Sequence, residues 1–367
     1  MGCVKSLTLS TAISDQPMDA ACFDNNDGFI YAVRGGRIFR ANATTGVIVG
    51  QSDYNNRLRS GASVCYDSGT DTLWAGGWND PSSQRAVGNI IPTSSYFSPR
   101  SLSKITPATL AVAQEYDLDT IFPALSILDS SQQFPSGVVE LRSVGAFVLA
   151  NIVANDGGFF NMICYQIRFD PSNIATFTTN NGAINCGQIA YVGPTIWVPD
   201  VSTPQIQEVD ISADNTLGNT LATWAASGPP KTTETFFPIA VEYSPDSAKL
   251  YMTSQDVAVP GNGQFIYTST TVPVERAKID LGRAGFQGVH IRRCPTGPAT
   301  GLLFATGYGD NTVAVINPTA GVILGVAAND GFIIKTGFDL PDEIVFTNAK
   351  VWAVQQGTVP FKEVVLP

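Results

Sequence analysis

Ala21-Cys22-Phe23-Asp24, then Asn25-Asn26-Asp27-Gly28, then Phe29-Ile30-Tyr31-Ala32-Val33 is the stretch on which the fold turns. The outer segments are short apolar runs rich in β-branched and aromatic residues, and the four residues between them are the Asn/Asp/Gly set that favours a tight turn. The phrase is therefore strand, turn, strand. It recurs as Val64-Cys65-Tyr66-Asp67 with Thr72-Leu73-Trp74-Ala75-Gly76, and again as Val241-Glu242-Tyr243-Ser244, Pro245-Asp246-Ser247 and Lys249-Leu250-Tyr251-Met252. An aromatic residue at the second-strand position runs through Tyr31, Trp74, Phe147, Trp197, Tyr251, Phe304 and Trp352. The intervals are 43, 73, 50, 54, 53 and 48 residues.

A second phrase follows the first. Ile38-Phe39-Arg40-Ala41-Asn42, Thr44-Thr45-Gly46 and Val47-Ile48-Val49 again read strand, turn, strand, and Val313-Ala314-Val315-Ile316-Asn317, Pro318-Thr319-Ala320-Gly321 and Val322-Ile323-Leu324 repeat it. Fainter copies are Leu102–Ile105 with Leu110–Val112, and Tyr165–Arg168 with Ile174–Phe177. A unit of about 40–50 residues holding four short strands is the signature of a β-propeller blade. One twisted four-stranded sheet cannot bury both faces alone, so sheets stack around an axis and the second-strand aromatics fill the space between them.

Seven aromatic positions predict an all-β, seven-bladed propeller occupying residues 1–367 as a single domain. The last unit shows only three strands: Glu343–Phe346, Val351–Val354 and Phe361–Val365. A spare alternating strand at Val4–Leu9, within residues 3–10, is expected to complete that unit and remove an exposed edge. Insertions are expected near 79–99, 121–136 and 255–274, and these long connections are the candidates for a partner-facing surface.

The Asn311–Asn317 phrase, with its Thr-Ala-Gly turn and following valine-type strand, resembles the YVTN-type (WD40-like) propeller repeat, and Phe29–Val33 looks like that repeat's tyrosine strand. The resemblance covers most of the chain as a fold and is sharpest in the first and sixth units. It implies an architecture and no particular activity, since propellers host enzymes, receptors and structural parts alike.

Composition agrees with β structure. Charged residues make up 14% of the chain and are mostly Asp and Arg, with few of the Glu and Lys that coat helices, while 34 Gly and 23 Pro exclude a helical protein. Apolar residues at 44% suffice for a large core. Net charge is −10 and the pI about 4.6, which excludes phosphate-backbone partners as a class, so no nucleic acid is expected. There is no apolar run long enough to span a membrane and no basic-then-apolar leader near the start, so neither a transmembrane segment nor a signal peptide is expected. The six cysteines contain no CxxC pair and lie in or beside apolar strands, and they read as buried free thiols.

The search for chemistry assembles no catalytic set. His290, the only histidine, lies in Gly288-Val289-His290-Ile291-Arg292-Arg293, which reads as an innermost strand lining the channel. His290, Glu242 and Arg292 are the nearest approach to a channel site, His290 as a base beside arginine and Glu242 as an acid. A single histidine excludes a multi-His metal centre. Propeller lactonases, which this fold resembles, use inner-strand acids or a divalent metal, a part that Glu242, Asp24 and Asp67 could fill. Asp24 and Asp67 also stand where Asx turns need a carboxylate. Asp24–Gly28 has the oxygen-rich look of a calcium loop but lacks the closing glutamate and the flanking helices, so it reads as a hairpin turn. The sialidase Asp-box is approached from Ser68 to Trp74 and fails on spacing. Met1-Gly2-Cys3-Val4-Lys5-Ser6 fits an N-myristoylation pattern, yet these residues are also needed for the spare strand, so a lipid anchor is not expected. No cofactor or metal is expected.

The function predicted is non-enzymatic: a structural or recognition platform for protein–protein assembly. Low Lys and His, abundant Ser, Thr, Asn and Gly, and no visible export signal point further to a phage virion or tail component, so that a virion-associated location is favoured over a cytoplasmic one. The alternatives are a lactonase-like hydrolase in the central channel and an extracellular carbohydrate- or adhesion-binding propeller.

Overall fold

A computed structural model describes residues 20–366, apart from 59–62, 80–100, 119–135, 156–161, 173–176, 185–187, 201–204, 212–230, 233–236, 256–264, 271–275, 281–287, 308–310, 320–321, 324–331, 335–337, 339–340, 356–360 and the single positions 35, 54, 56, 57, 146, 194 and 298. Within the described residues the strands form seven sheets, and every paired strand within a sheet is antiparallel to its neighbours. The first sheet is β1 (Ala20–Asp24), β2 (Phe29–Arg34), β3 (Arg37–Asn42) and β4 (Ile48–Gln51). The second contains β5 (Ser63–Asp67) and β6 (Thr72–Gly76), after which the short β7 (Trp78–Asn79) leaves for the third sheet and the chain returns with β8 (Ser101–Thr106) and β9 (Ala111–Asp117). The third adds β10 (Ser136–Ser143), β11 (Val148–Asn155), β12 (Met162–Phe169) and β13 (Phe177–Ile184).

The fourth sheet is β14 (Ala190–Val192), β15 (Thr195–Asp200), β16 (Gln205–Asp210) and β17 (Lys231–Thr232). The fifth is β18 (Phe237–Ser244), β19 (Lys249–Gln255), β20 (Phe265–Thr270) and β21 (Arg276–Asp280). In the sixth, β22 (Gly288–Arg293), β23 (Leu303–Gly307) and β24 (Thr312–Asn317) carry both β25 (Val322–Ile323) and β26 (Phe332–Ile334) on the outer side of β24. The seventh has three strands, β27 (Pro341–Phe346), β28 (Val351–Gln355) and β29 (Phe361–Glu363), as its sequence indicates. The spare strand assigned to 3–10 lies outside the described residues.

The core lies between sheets. Each second-strand aromatic points forward into the next sheet: Tyr31 against Val64 and Leu73, Trp74 against Val138 and Phe169, Trp197 against Val241 and Leu250, Tyr251 against Ile291 and Leu303, Phe304 against Ile344 and Val351, and Trp352 against Ile30 and Phe39. Six large rings, each with no more than 3% of its surface exposed, therefore act as wedges between sheets.

Five of them carry a polar O–H or N–H, and in three of these it lands on the turn between the third and fourth strands of the next sheet. Tyr31 Oη donates to Pro107 O at 3.4 Å, Tyr251 Oη to Pro318 O at 2.9 Å, and Trp352 Nε1 to Ala43 O at 3.0 Å. The last contact joins the seventh sheet to the first. It is reinforced by Gly46, whose φ of +67° and close seat on the Trp352 indole leave no room for a side chain.

Two sequence expectations need correction. Phe147 precedes β11 and is not a strand residue. It stacks edge-on against Tyr191 at 5.9 Å, and the strand residue filling that interface is Leu149. The turn Val144–Phe147, closed by Val144 N–H donating to Phe147 O at 3.0 Å, displaces the aromatic from the strand. The stretch 255–274 is not a plain insertion, because Phe265–Thr270 is the third strand of the fifth sheet, pairing Tyr251 with Thr268. Its Phe-Ile-Tyr-Thr run has strong β propensity, which the search for the repeat phrase passed over. Of the insertions near 79–99 and 121–136, all but Asn79 and Ser136 lie outside the described residues, and those two pair with each other across β7 and β10.

Candidate functional site: the central channel

The first strand of each sheet faces the axis, and the alternation of β structure sends every second side chain of such a strand the same way. In β10 this spacing presents Glu140 and Arg142, and in β22 it presents His290 and Arg292. The inner strands of the third, fifth, sixth and seventh sheets each carry a register shift, at Val138/Glu140, Pro238/Ala240, Gly288/Ile291 and Pro341/Glu343. Such bulges re-aim side chains. These four strands bring all the charged groups of the central cluster, whereas β1 and β5, without bulges, bring Cys22, Ser63 and Cys65.

At the centre, Arg292 holds the two oxygens of Glu343 through Nε and Nη2, both at 3.1 Å, and Glu140 Oε1 through Nη1 at 2.9 Å. Paired guanidinium–carboxylate bonds of this geometry are among the stronger protein hydrogen bonds. Glu140 Oε2 accepts from the Ile189 amide at 2.7 Å, and Glu343 Oε1 also accepts from the Ile344 amide at 3.0 Å. Arg142 donates to Glu242 Oε1 at 3.0 Å and to Ile189 O at 3.1 Å. Gln188 spans sheets: its amide nitrogen donates to Val241 O and Ile291 O, and its oxygen accepts from Ile291 N–H at 3.0 Å. His290 Nε2 stands 3.8 Å from Glu343 Oε2.

Burial alone would suppress the charge on Arg292, but the Glu343 and Glu140 carboxylates outweigh it and raise its pKa. Burial would likewise raise Glu343, and the Arg292 and His290 charges overcome it, so this carboxyl sits below its ordinary value. The thiols behave oppositely. Burial, with help from Cys65, Asp24 and Glu343, pushes Cys22 up, and burial together with Asp67 pushes Cys65 up. Cys22, Cys65 and Cys294 are free thiols, and burial raises Cys294 as well. Beside the charge cluster lies a cavity of about 310 Å³, walled by Cys22, Ser63 and Cys65 on one side and by Arg142, Glu242 and Glu343 on the other.

All three residues singled out from sequence, His290, Glu242 and Arg292, reach this centre, but they do not meet as a catalytic triple: Glu242 pairs with Arg142, and His290 and Arg292 converge on Glu343. Asp24 and Asp67 serve turns. Asp24 Oδ1 accepts from Asn26 N at 2.8 Å and Asp27 N at 3.2 Å; Asp67 Oδ2 accepts from Thr70 N at 2.9 Å, and its Oδ1 accepts from Ser143 Oγ at 2.9 Å. Among the described residues no group of three or more His, Cys, Asp or Glu side chains is arranged to hold a metal ion, and no helix is long and apolar enough to cross a membrane.

Sequence reading missed Glu140, Arg142, Gln188 and Glu343. A signal was present: in a chain with so few glutamates, Glu140 and Glu242 sit inside apolar runs and Glu343 opens one. A buried charge of that kind demands a partner.

No protein-family model and no curated protein matches the chain. Solved structures do. Hydrazine synthase of Kuenenia stuttgartiensis superposes with a TM-score of 0.63 at 10% identity, over 100% of this chain and 99% of that one. A streptogramin B lyase structure superposes with a TM-score of 0.54 at 15% identity, over 99% and 97% respectively. Both are β-propeller proteins, and likeness at such low identity concerns the fold alone. With its stacked antiparallel sheets and forward-pointing aromatic wedges, this chain is a β-propeller.

Proposed function

We propose that this protein is a non-catalytic recognition or assembly platform, a propeller of the YVTN repeat type whose centre is a structural hub. The observation that carries this reading is the commitment of the channel's charges to one another. Arg292 is held by two carboxylates, Arg142 by a third and by a carbonyl, and Gln188 by the backbone of two further sheets. A general base or nucleophile has to be free to exchange protons with a substrate, whereas these groups are fixed by partners from several sheets. Composition extends the proposal to a phage virion or tail component. Sedimentation of native material with quantitative proteomics across the gradient tests it: migration with large particles at fixed stoichiometry is expected, and a protein that stays at about 39 kDa refutes it.

A second reading, hydrolysis or elimination in the channel, is favoured by one observation: Glu242 and Arg292 border the same cavity, with His290 close behind. The names of the two structural neighbours, a synthase and a lyase, are compatible with it. Turnover of lactone substrates, with and without divalent metal and abolished by Glu242→Gln, would establish it over the platform reading.

A further inference from the structure

We propose that Cys22 and Cys65 form a dithiol pair that a peroxide closes into a disulfide, a reversible covalent staple between the first and second sheets. The first argument is position. Cys22 stands opposite Tyr31 in the first sheet and Cys65 opposite Trp74 in the second, so the two hold the same place on successive inner strands. β1 and β5 pack directly together. Cys22 lies against a cluster that contains Val64 and Tyr66, the two chain neighbours of Cys65. Inner strands approach closely here, since the short Ser63 side chain on β5 already reaches the Leu141 amide of β10 at 2.6 Å. Two cysteine side chains together span a gap of that kind. The pair is near enough that charge on Cys65 acts on Cys22.

The second argument is access. Both cysteines line the cavity of about 310 Å³, which admits a molecule as small as hydrogen peroxide, and Cys22 is only half-buried. Cys294 makes the contrast: it lies off the cavity wall, and its thiol donates to Thr296 O at 3.0 Å. The third argument is chemistry. The Cys22 sulfur, as thiolate, attacks one peroxide oxygen; the O–O bond breaks, leaving a sulfenic acid and a hydroxide that takes up the proton Cys22 released. The Cys65 sulfur then displaces the sulfenic hydroxyl, which leaves with the Cys65 proton as water. Two thiols and one hydrogen peroxide thus give one disulfide and two waters, each sulfur losing one electron and the peroxide gaining two. Burial, with Asp24, Glu343, Asp67 and Glu140, keeps the thiols protonated and the oxidation slow. The disulfide carries no charge for those acids to oppose.

The proposal is independent of the platform and hydrolase readings, since it concerns the wall of the channel and neither its charges nor its partners. The test exposes the reduced, folded full chain to hydrogen peroxide, blocks remaining thiols with N-ethylmaleimide in urea, and maps the linkage by mass spectrometry without reduction. A Cys22–Cys65 cross-linked peptide is expected in at least half of the molecules, reversed by dithiothreitol, with Cys294 still alkylated. The cross-link closes a loop between residues 22 and 65 and should raise the melting midpoint by roughly 3–5 °C over the reduced chain. Cys22→Ser should abolish both the cross-link and the rise, and Cys294→Ser should leave both unchanged. Should Cys22→Ser fail to fold, the linkage map of the native chain decides. Cys22 or Cys65 remaining as a free thiol, oxidising only to sulfinic acid or pairing with another cysteine, an unchanged melting midpoint in the cross-linked chain, or a rise that persists in folded Cys22→Ser would each overturn the proposal.

Discussion

Replacing Arg292 by methionine removes one side chain and strands two carboxylates. In the native protein three guanidinium bonds of 2.9–3.1 Å tie Arg292 to Glu140 and Glu343, whose side chains are 3% and 5% exposed. Breaking a buried ion pair by deleting one partner costs about 3–5 kcal/mol, because the remaining charge has neither water nor counterion. With unfolding entropy of about 2.1 cal/mol/K per residue over 367 residues, that cost lowers the melting midpoint by roughly 4–7 °C. Differential scanning calorimetry at neutral pH reads it. The decisive companion is the triple variant R292M/E140Q/E343Q, which removes the stranded charges and should recover more than half of the loss. A single variant within about 1 kcal/mol of the parent, or a triple variant no better than the single, would refute the account of the hub as a mutually compensated charge cluster.

Three further outcomes follow from the geometry. Gly46→Ala forces a Cβ to 2.9 Å from the Trp352 ring at a positive φ and should cost at least about 1 kcal/mol, while Trp352→Phe deletes the bond to Ala43 O and should cost about 1–3 kcal/mol; denaturant melts measure both. Glu343 has a lowered pKa when folded, so its stabilisation is fully present above the ordinary carboxylate value of about 4.3 and is lost as pH falls through the lowered folded value. Acid unfolding followed by circular dichroism should therefore be shallower in Glu343→Gln than in the parent, and identical curves would remove Glu343 from the acid response. Cys22, Cys65 and Cys294 all have raised thiol pKa values, so their reaction with a disulfide reagent at pH 7 should be at least about tenfold slower in native than in urea-unfolded protein.

The fold was legible because it is written locally and repeatedly. A tight turn of Asn25–Gly28 type, or the Thr44–Gly46 turn after Asn42, is fixed by backbone preferences of the residues in it, and Asn42 Oδ1 duly accepts from the Thr44 and Thr45 amides at 3.0 Å. Phe147 misled because spacing records that an aromatic is nearby and not which side of a strand end it occupies. Channel positions were readable one strand at a time, so His290 and Arg292 could be placed on an inner strand from Gly288–Arg293. Their partners could not. Arg292 reaches Glu140 across 152 residues of chain and Glu343 across 51, distances over which no periodicity carries information.

Those long spans also say what the charges add to the wedges. Tyr31, Trp74, Trp197, Tyr251, Phe304 and Trp352 perform one task with similar shapes, and Tyr31, Tyr251 and Trp352 bond to equivalent turns in the following sheet. Wedges so alike discriminate weakly between a correct neighbour and another sheet of the same pattern. The hub is not repetitive: Glu140 and Arg142 come only from the third sheet, Gln188 from the approach to the fourth, Glu242 from the fifth, Arg292 from the sixth and Glu343 from the seventh. Exchanging the fifth sheet with the sixth would set Arg292 against Arg142 in place of Glu242 and strip Glu140 and Glu343 of their guanidinium, a penalty of several kcal/mol that apolar packing does not supply. Burial of interchangeable wedges thus accounts for the stacking, and the unlike charges at the axis add a preference for arginine-bearing and glutamate-bearing sheets in their own places.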